Sequence, residues 1–387
     1  MPTQARLFNK HDFGKMEWPQ TVDGSYAKRF MFPFFDHGTE YMIPNVQTSL
    51  YALQLDESHI LPVTVNHEEY ESSYVTSPYT HYVSYAKEEL YLLRSPLTER
   101  LLKGLLAGMG AMLRASRFNQ AVHVNNWLVS TNLYPELTRD QVMSSVALIL
   151  QSFPSHTLIF RSLNRTTNQQ LMLDLRAIGF RFVPSRQIYF LRPSDPSTMN
   201  AKARWLVKRD YALIAAHDYE VLRHDQLTDA DIPRIAQLYQ ALYLDKYSYY
   251  NPQFGIPFLS HALREHVLHF EALRHRGTGV IDAVLGYFCR NGVMTTPIFG
   301  YDTSKDQRIG LYRMLSAMLL DIARQNGHLL HESSGAAQFK RNRGAFADIE
   351  YSAVYDAHLP FYRRMGWSFL QKVLDGIGIP LLRKYKL

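Results

Sequence analysis

A chain of 387 residues can bury two or three cores, and its make-up, 46% hydrophobic and 20% charged, is that of a globular protein rather than a disordered or fibrous one. The lone cysteine, Cys289, rules out internal disulfides and a cysteine-based zinc site, and no run approaches the roughly eighteen apolar residues of a membrane span. Met1 leads into polar sequence without an apolar signal core, so a cytoplasmic protein is expected. A net charge of +7 favours an anionic partner, whether a CoA, an RNA or a lipid surface, and 25 tyrosines suggest aromatic clefts.

In chain order, residues 1–28 read as a polar arm and 29–65 as short strands and turns, with 48–55 and 60–65 forming a hairpin about Asp56, Glu57 and Ser58. Residues 70–85 are dense in Tyr and His and read as a half-buried aromatic segment of the core, the functional alternative being a loop that lines a substrate. A helix is expected over 96–117, its glycines falling inside the apolar period, where they serve close packing and not phosphate binding. Strand 121–129, helix 138–151, strand 157–160, helix 168–178 and strand 181–191 follow, with Gly179 as the left-handed cap of the last helix.

Residues 193–198 have linker composition, and 200–215 form a basic helix carrying Lys202, Arg204, Lys208 and Arg209. Beyond it are strand 219–224, a helix opened by Thr228 and Asp231 and running to 244, an aromatic loop 246–255, and strands 270–273, 281–289 and 293–299. The last of these strands leads through Tyr301 and Asp302 to Gln307-Arg308-Ile309-Gly310-Leu311-Tyr312, which opens an amphipathic helix. Free N–H groups and the positive end of the dipole converge at such a helix start, and a glycine there lets an anion approach, so these six residues are an expected anion cradle. Strand 328–333, helix 336–343 and strand 349–358 come next. The tail, 359–387, reads as a basic amphipathic helix docked by its apolar face, with contact to a membrane surface or an RNA as the alternative.

The two halves repeat one order: strand, polar break, helix, glycine, strand, with Gly179 matching Gly344. Together with Q-x-x-G-x-Y at 307–312, that order resembles the GCN5-related N-acetyltransferase (GNAT) superfamily, whose pyrophosphate loop is Q/R-x-x-G-x-G/A. Tyr312 departs from its last small residue. The resemblance implies an α+β fold of two tandem GNAT-like domains, each a mixed, mostly antiparallel sheet flanked by helices. The expected parts are the arm 1–28, a domain at 29–195, the basic helix 196–216, a donor-binding domain at 217–358, and the tail. Many GNAT enzymes carry a leaving-group tyrosine four residues before the closing glycine. That place is Lys340 in the second half and Leu175 in the first, which implies that the first domain does not catalyse. Phe339-Lys340 is similar to the Phe-Lys pair of Fem-type aminoacyltransferases, tandem GNAT-like proteins whose lysine offsets charge during transfer from aminoacyl-tRNA.

The resemblance implies transfer of an acyl group from acyl-CoA to the amine of a small or peptidyl acceptor, with aminoacyl-tRNA as the alternative donor and a non-catalytic ligand-binding module as the alternative class. Gln307 to Tyr312 would hold the donor. Tyr301 and Asp302 would touch the acyl carbonyl or the acceptor, Asp302 or Glu332 would serve as general base, and Lys340 would offset the developing charge. No metal is expected: His331-Glu332 lacks the second histidine of a metalloprotease helix, and His328 and His358 supply no ligand spacing.

Overall fold

The structure, a computed structural model, describes residues 5–90, 95–195 and 197–381. Its strands in chain order are β1 Arg6–Phe8, β2 Ser49–Gln54, β3 Ile60–Asn66, β4 Ala121–Val124, β5 Thr157–Leu163, β6 Arg181–Leu191, β7 Tyr219–Leu222, β8 His269–His275, β9 Ile281–Arg290, β10 Val293–Tyr301, β11 Leu329–His331 and β12 Phe346–Tyr355. They fall in two compact units. Unit 1 is the chain up to Arg186 with Tyr250–Pro252 and the stretch from Ile349 onward; unit 2 is Gln187–Tyr249 with Gln253–Asp348. This contact-based division differs from the expected sequential one. Strand β6 gives its first residues to unit 1 and those from Gln187 to unit 2, while most of β12 and the C-terminal helix belong to unit 1.

In unit 1 the strand order is β1-β2-β3-β4-β5-β12-β6. Strands β4 and β5 are parallel, from Ala121↔Thr157 to Val124↔Phe160, while β12 returns antiparallel to β5. The core gathers Leu53, Val63, Val122, Ile149, Phe160 and Leu175 between this sheet and the helices Arg139–Ser152 and Arg165–Ile178. In unit 2 the order is β6-β11-β10-β9-β8-β7, with β10 and β11 parallel and the other neighbours antiparallel. Leu285, Met294 and Leu330 of that sheet pack on Leu311, Met314, Leu315 and Met318 of the helix Leu311–Gln325. Each unit thus carries a mixed, mostly antiparallel sheet flanked by helices, an α+β arrangement.

Two stretches depart from the sequence reading. Residues 1–28 are not an arm over their described length: β1 pairs with β2, and a helix, Val22–His37, starts where the Thr21 side chain accepts the Gly24 N–H at 3.0 Å. The expected strands and turns after residue 29 give way to that helix because Ala27, Phe30, Met31, Phe34 and Phe35 recur at helical spacing and are all buried. Burying each Phe contributes about 1.5–3 kcal/mol, which outweighs the few tenths by which aromatics trail in helix propensity. The Tyr/His-rich segment turns inward and coils, with a π-type turn at Thr80–Ser84. In the tail, the helix Phe361–Val373 buries Trp367 and Leu370, and Gly366 sits so close to the helix Pro96–Ala115 that an added Cβ would lie 2.5 Å from Ser116 Oγ. Residues 382–387, with Arg383, Lys384 and Lys386, lie outside the described residues.

Candidate active site

Strands β10 and β11 run parallel over three residue pairs that end at Thr295↔His331. Pro297 comes next on β10, where it has no N–H to give, and β10 shifts register against β9 between Thr295 and Ile298. On the other side the chain leaves β11 through Glu332 and Ser333, the latter at φ 57°. The ladder therefore stops, and polar groups are left at its mouth: Thr296 Oγ1 and Glu332 Oε2 are buried with no hydrogen-bond partner among the described residues.

Aromatic side chains surround that mouth. The Tyr312 ring lies 4.9 Å from Phe339, 5.5 Å from Phe299 and 6.3 Å from Tyr301, centroid to centroid. Burial first, then Glu332, Tyr247, Tyr243 and Tyr301 in turn, hold the Tyr312 phenol far above the ordinary tyrosine range, so it stays a hydrogen-bond donor at any physiological pH. Tyr243 and Tyr247 come from a π-type segment, Gln240–Tyr247, and Lys246 of the same segment donates to the Tyr301 hydroxyl at 3.2 Å. Burial pushes the Glu332 carboxyl up, and Lys340 and then Arg343 pull it back. A carboxyl raised in this way can take a proton from a neighbour that a solvated carboxylate could not.

The expected cradle forms beside this ring. Gln307–Ile309 make one 3₁₀ turn, and Gly310, at φ 83° and ψ 34°, is the N-cap of the helix Leu311–Gln325. No side chain caps that helix, so the N–H groups of Leu311, Tyr312 and Arg313 in its first turn have no intrahelical acceptor. Glycine is required twice over: for its positive φ, and because an added Cβ would lie 2.9 Å from Leu213 Cδ1. Gln307 and Arg308 are exposed, and Asp306 accepts both the Arg308 N–H, at 2.9 Å, and its guanidinium, which places a carboxylate at the outer edge of the cradle.

Lys340 is buried on the short helix Ala337–Asn342, and its ammonium donates to the carbonyls of Glu332, at 2.6 Å, and Ser334, at 2.8 Å. It therefore fixes the loop that presents Glu332. Sequence reasoning noticed the cations of the helix Ala201–Ala216 and missed its buried acid. Asp210 pairs with Arg313 Nε at 2.7 Å and Arg343 Nε at 2.8 Å, joining the cradle helix, the Lys340 helix and its own. Its only sequence signal is a lone acid on an otherwise basic stretch. Lys202, Arg204, Lys208 and Arg209 are exposed on the same helix.

Tyr301, Glu332, Lys340 and Tyr312 thus come together, whereas Asp302 is engaged elsewhere. Burial opposes its ionisation, but hydrogen bonds from Ser304 and Arg234 prevail and hold it below the usual carboxylate range; Arg234 Nη2 donates to it at 2.8 Å and also reaches Asp282. One imidazole group gathers among the described residues, His224, His266 and His269, with ligand nitrogens within 4.8 Å. His224 Nδ1 already accepts the Phe270 N–H at 3.0 Å and the ring also bonds the Leu263 carbonyl, so we assign no metal to it.

No family model and no curated relative matches the chain. Among solved structures it is similar to L-PGS from Bacillus licheniformis, with 13% identity over 60% of this chain and 78% of that one and a TM-score of 0.46. It is also similar to FemX, at 8% identity over 59% and 78% of the two chains and a TM-score of 0.46. A GCN5-related N-acetyltransferase from Kribbella flavida matches at 12% identity over 62% and 84%, with a TM-score of 0.31.

Proposed function

We propose that unit 2 moves an acyl group from an activated carrier to an amine. The observation that supports this reading is Glu332: a buried carboxyl oxygen without a partner, ringed by phenols beside an uncapped helix start. An acceptor arriving as an ammonium is drawn by the carboxylate and the ring faces. It gives a proton to Glu332, and its nitrogen attacks the acyl carbonyl. As the new C–N bond forms and the bond to the carrier breaks, the nitrogen gives up its second proton to solvent, Tyr312 passes its proton to the departing sulfur or oxygen, and the Glu332 proton returns through solvent to the phenolate. Lys340 keeps the Glu332 loop in place and offsets negative charge near the reacting atoms. Acyl-CoA is the proposed donor, its pyrophosphate meeting the first-turn N–H groups of Leu311 to Arg313.

A second donor, aminoacyl-tRNA, is favoured by one observation: the exposed Lys202, Arg204, Lys208 and Arg209 share a helix with Leu213, which packs on Gly310. Incubation with acetyl-CoA and with charged tRNA, each with a panel of amines, followed by mass spectrometry of the amines, tests the reading. Acylated product from acetyl-CoA supports the first donor. Product from tRNA alone, with steeply salt-dependent binding, supports the second. Saturable binding of either carrier without product would replace catalysis with a ligand-binding role.

A further inference from the structure

We propose that unit 1 contains a second ligand site, in which Arg161 is the counter-ion of an oxyanion, the carboxylate or phosphate of a small molecule, with Asn132, His81, Ser185 and Tyr74 lining it. The Tyr/His-rich segment, which the acyl-transfer reading leaves unused, supplies two of these residues.

The inference starts from charge. Arg161 is 7% exposed at the end of β5, and its acceptors are the Val75 carbonyl at 2.9 Å and the Asn126 amide oxygen at 3.4 Å, both neutral. Arg186 lies in the same cluster but has its own acid, Glu350, bound through Nε at 2.9 Å and Nη2 at 3.2 Å, and it also donates to the Ser130 carbonyl at 2.8 Å. His81 and His123 add no charge: burial first, then Arg161, keeps both well below the ordinary imidazole range. Two guanidiniums and one carboxylate leave one positive charge enclosed. An unpaired buried charge costs several kcal/mol even after relaxation, and carbonyl dipoles offset only part of that.

The polar accounting points the same way. Asn132 Nδ2 and His123 Nδ1 are buried with no partner among the described residues, each residue being 2% exposed. His81 Nε2 and Ser185 Oγ are hydrogen-bonded at 2.8 Å, and the Tyr74 ring lies 5.8 Å from the Arg161 guanidinium carbon. An oxyanion would accept from Arg161 and from the orphan Asn132 amide and bring the cluster to neutrality. The backbone around these groups is held in costly conformations, with Asn125 at φ 57°, Leu128 at φ 55° and Ser162 at φ 62°, and the π-type turn carries His81. Strain of this kind persists where surrounding contacts over-determine it, and it gathers at ligand sites.

The test compares the thermal midpoint of the full-length protein in sodium chloride, sodium acetate and sodium phosphate at one ionic strength. The wild-type midpoint should rise by about 2–4 °C in acetate or phosphate at roughly ten times the dissociation constant. The responding anion identifies the source chemistry. Arg161→Met should lose the rise, and an equal rise in both proteins overturns the site by exposing a general salt effect. Should Arg161→Met fail to fold, wild-type protein alone decides. The ¹⁹F line of trifluoroacetate should broaden and sharpen again on adding acetate or phosphate, and a line that stays sharp removes the proposal.

Discussion

The two parallel strand pairs, β4 with β5 and β10 with β11, end in opposite ways. In unit 1 the following helix is sealed: Thr138 accepts the Gln141 N–H at 3.3 Å while Gln141 Oε1 accepts the Thr138 N–H at 2.7 Å. In unit 2 the corresponding cap is Gly310, with no side chain, and the first-turn N–H groups stay open. Near the end of the second strand of each pair stands a serine in the left-handed region, Ser162 at φ 62° within β5 and Ser333 at φ 57° beyond β11, preceded by a buried charge of opposite sign, Arg161 or Glu332. Four residues before the closing glycine stands Leu175, fully buried in the core, or Lys340, hydrogen-bonded to the Glu332 loop. One framework therefore presents an open helix start with a carboxyl in one unit and a closed helix start with a guanidinium in the other. The two units thus differ at these few end positions and not in the sheet.

Removing the carboxyl from unit 2 should have the largest effect. Glu332→Gln should lower turnover by about 10²–10⁴-fold with carrier affinity unchanged, as single-turnover assays and calorimetric titration would show. The pH profile sharpens the point. Because burial raises the Glu332 pKa, the rate should climb with pH through a value above the ordinary glutamate range, and the variant should lose that limb. Stability should move the other way. A carboxyl with a raised folded-state pKa destabilises progressively as pH rises from its unfolded to its folded value, so Glu332→Gln should melt higher than wild type at pH 7. A lower melting point would mean that the carboxyl has a structural partner and is not held free for an acceptor.

Next comes the junction that exists only in unit 2. Asp210→Ala strands Arg313 and Arg343 without their acid and should cost about 3–5 kcal/mol, read from denaturant unfolding; Asp210→Asn should cost less. Lys340→Met should reduce turnover far more than carrier affinity, since its ammonium braces the loop of the proposed base and not the cradle.

Much of this contrast was legible in the chain. Gly310, Gly179 and Gly344 announced their left-handed positions because each ends or begins an apolar helical period, and the strand and helix periods placed most elements within a few residues. Local signals could not show partners distant in sequence. Asp210 meets Arg313 and Arg343 more than a hundred residues away, and Asp302 is drawn to Arg234, 68 residues earlier. Residues 70–85 read from composition as a half-buried aromatic segment of the core, but the groups they meet, Ser185 for His81 and Arg161 for Val75, become neighbours only when β5 and β6 are in place. The helix Val22–His37, where strands and turns were expected from residue 29, carries its own local signal in the helical spacing of its buried phenylalanines.

The smallest effects make the sharpest comparison, because they exchange the two helix caps. Gly310→Ala forces a Cβ into a left-handed residue, at about 1–2 kcal/mol, and pushes it toward Leu213, so the melting point should drop by several degrees and carrier binding should weaken. Thr138→Ala removes one N-cap bond in unit 1, at about 1 kcal/mol, and should lower stability without changing carrier affinity. Equal losses of affinity from both would mean that the Gly310 variant acts only through stability and that the open helix start does not hold the carrier. A loss confined to Gly310→Ala leaves the uncapped N–H groups as the point of contact.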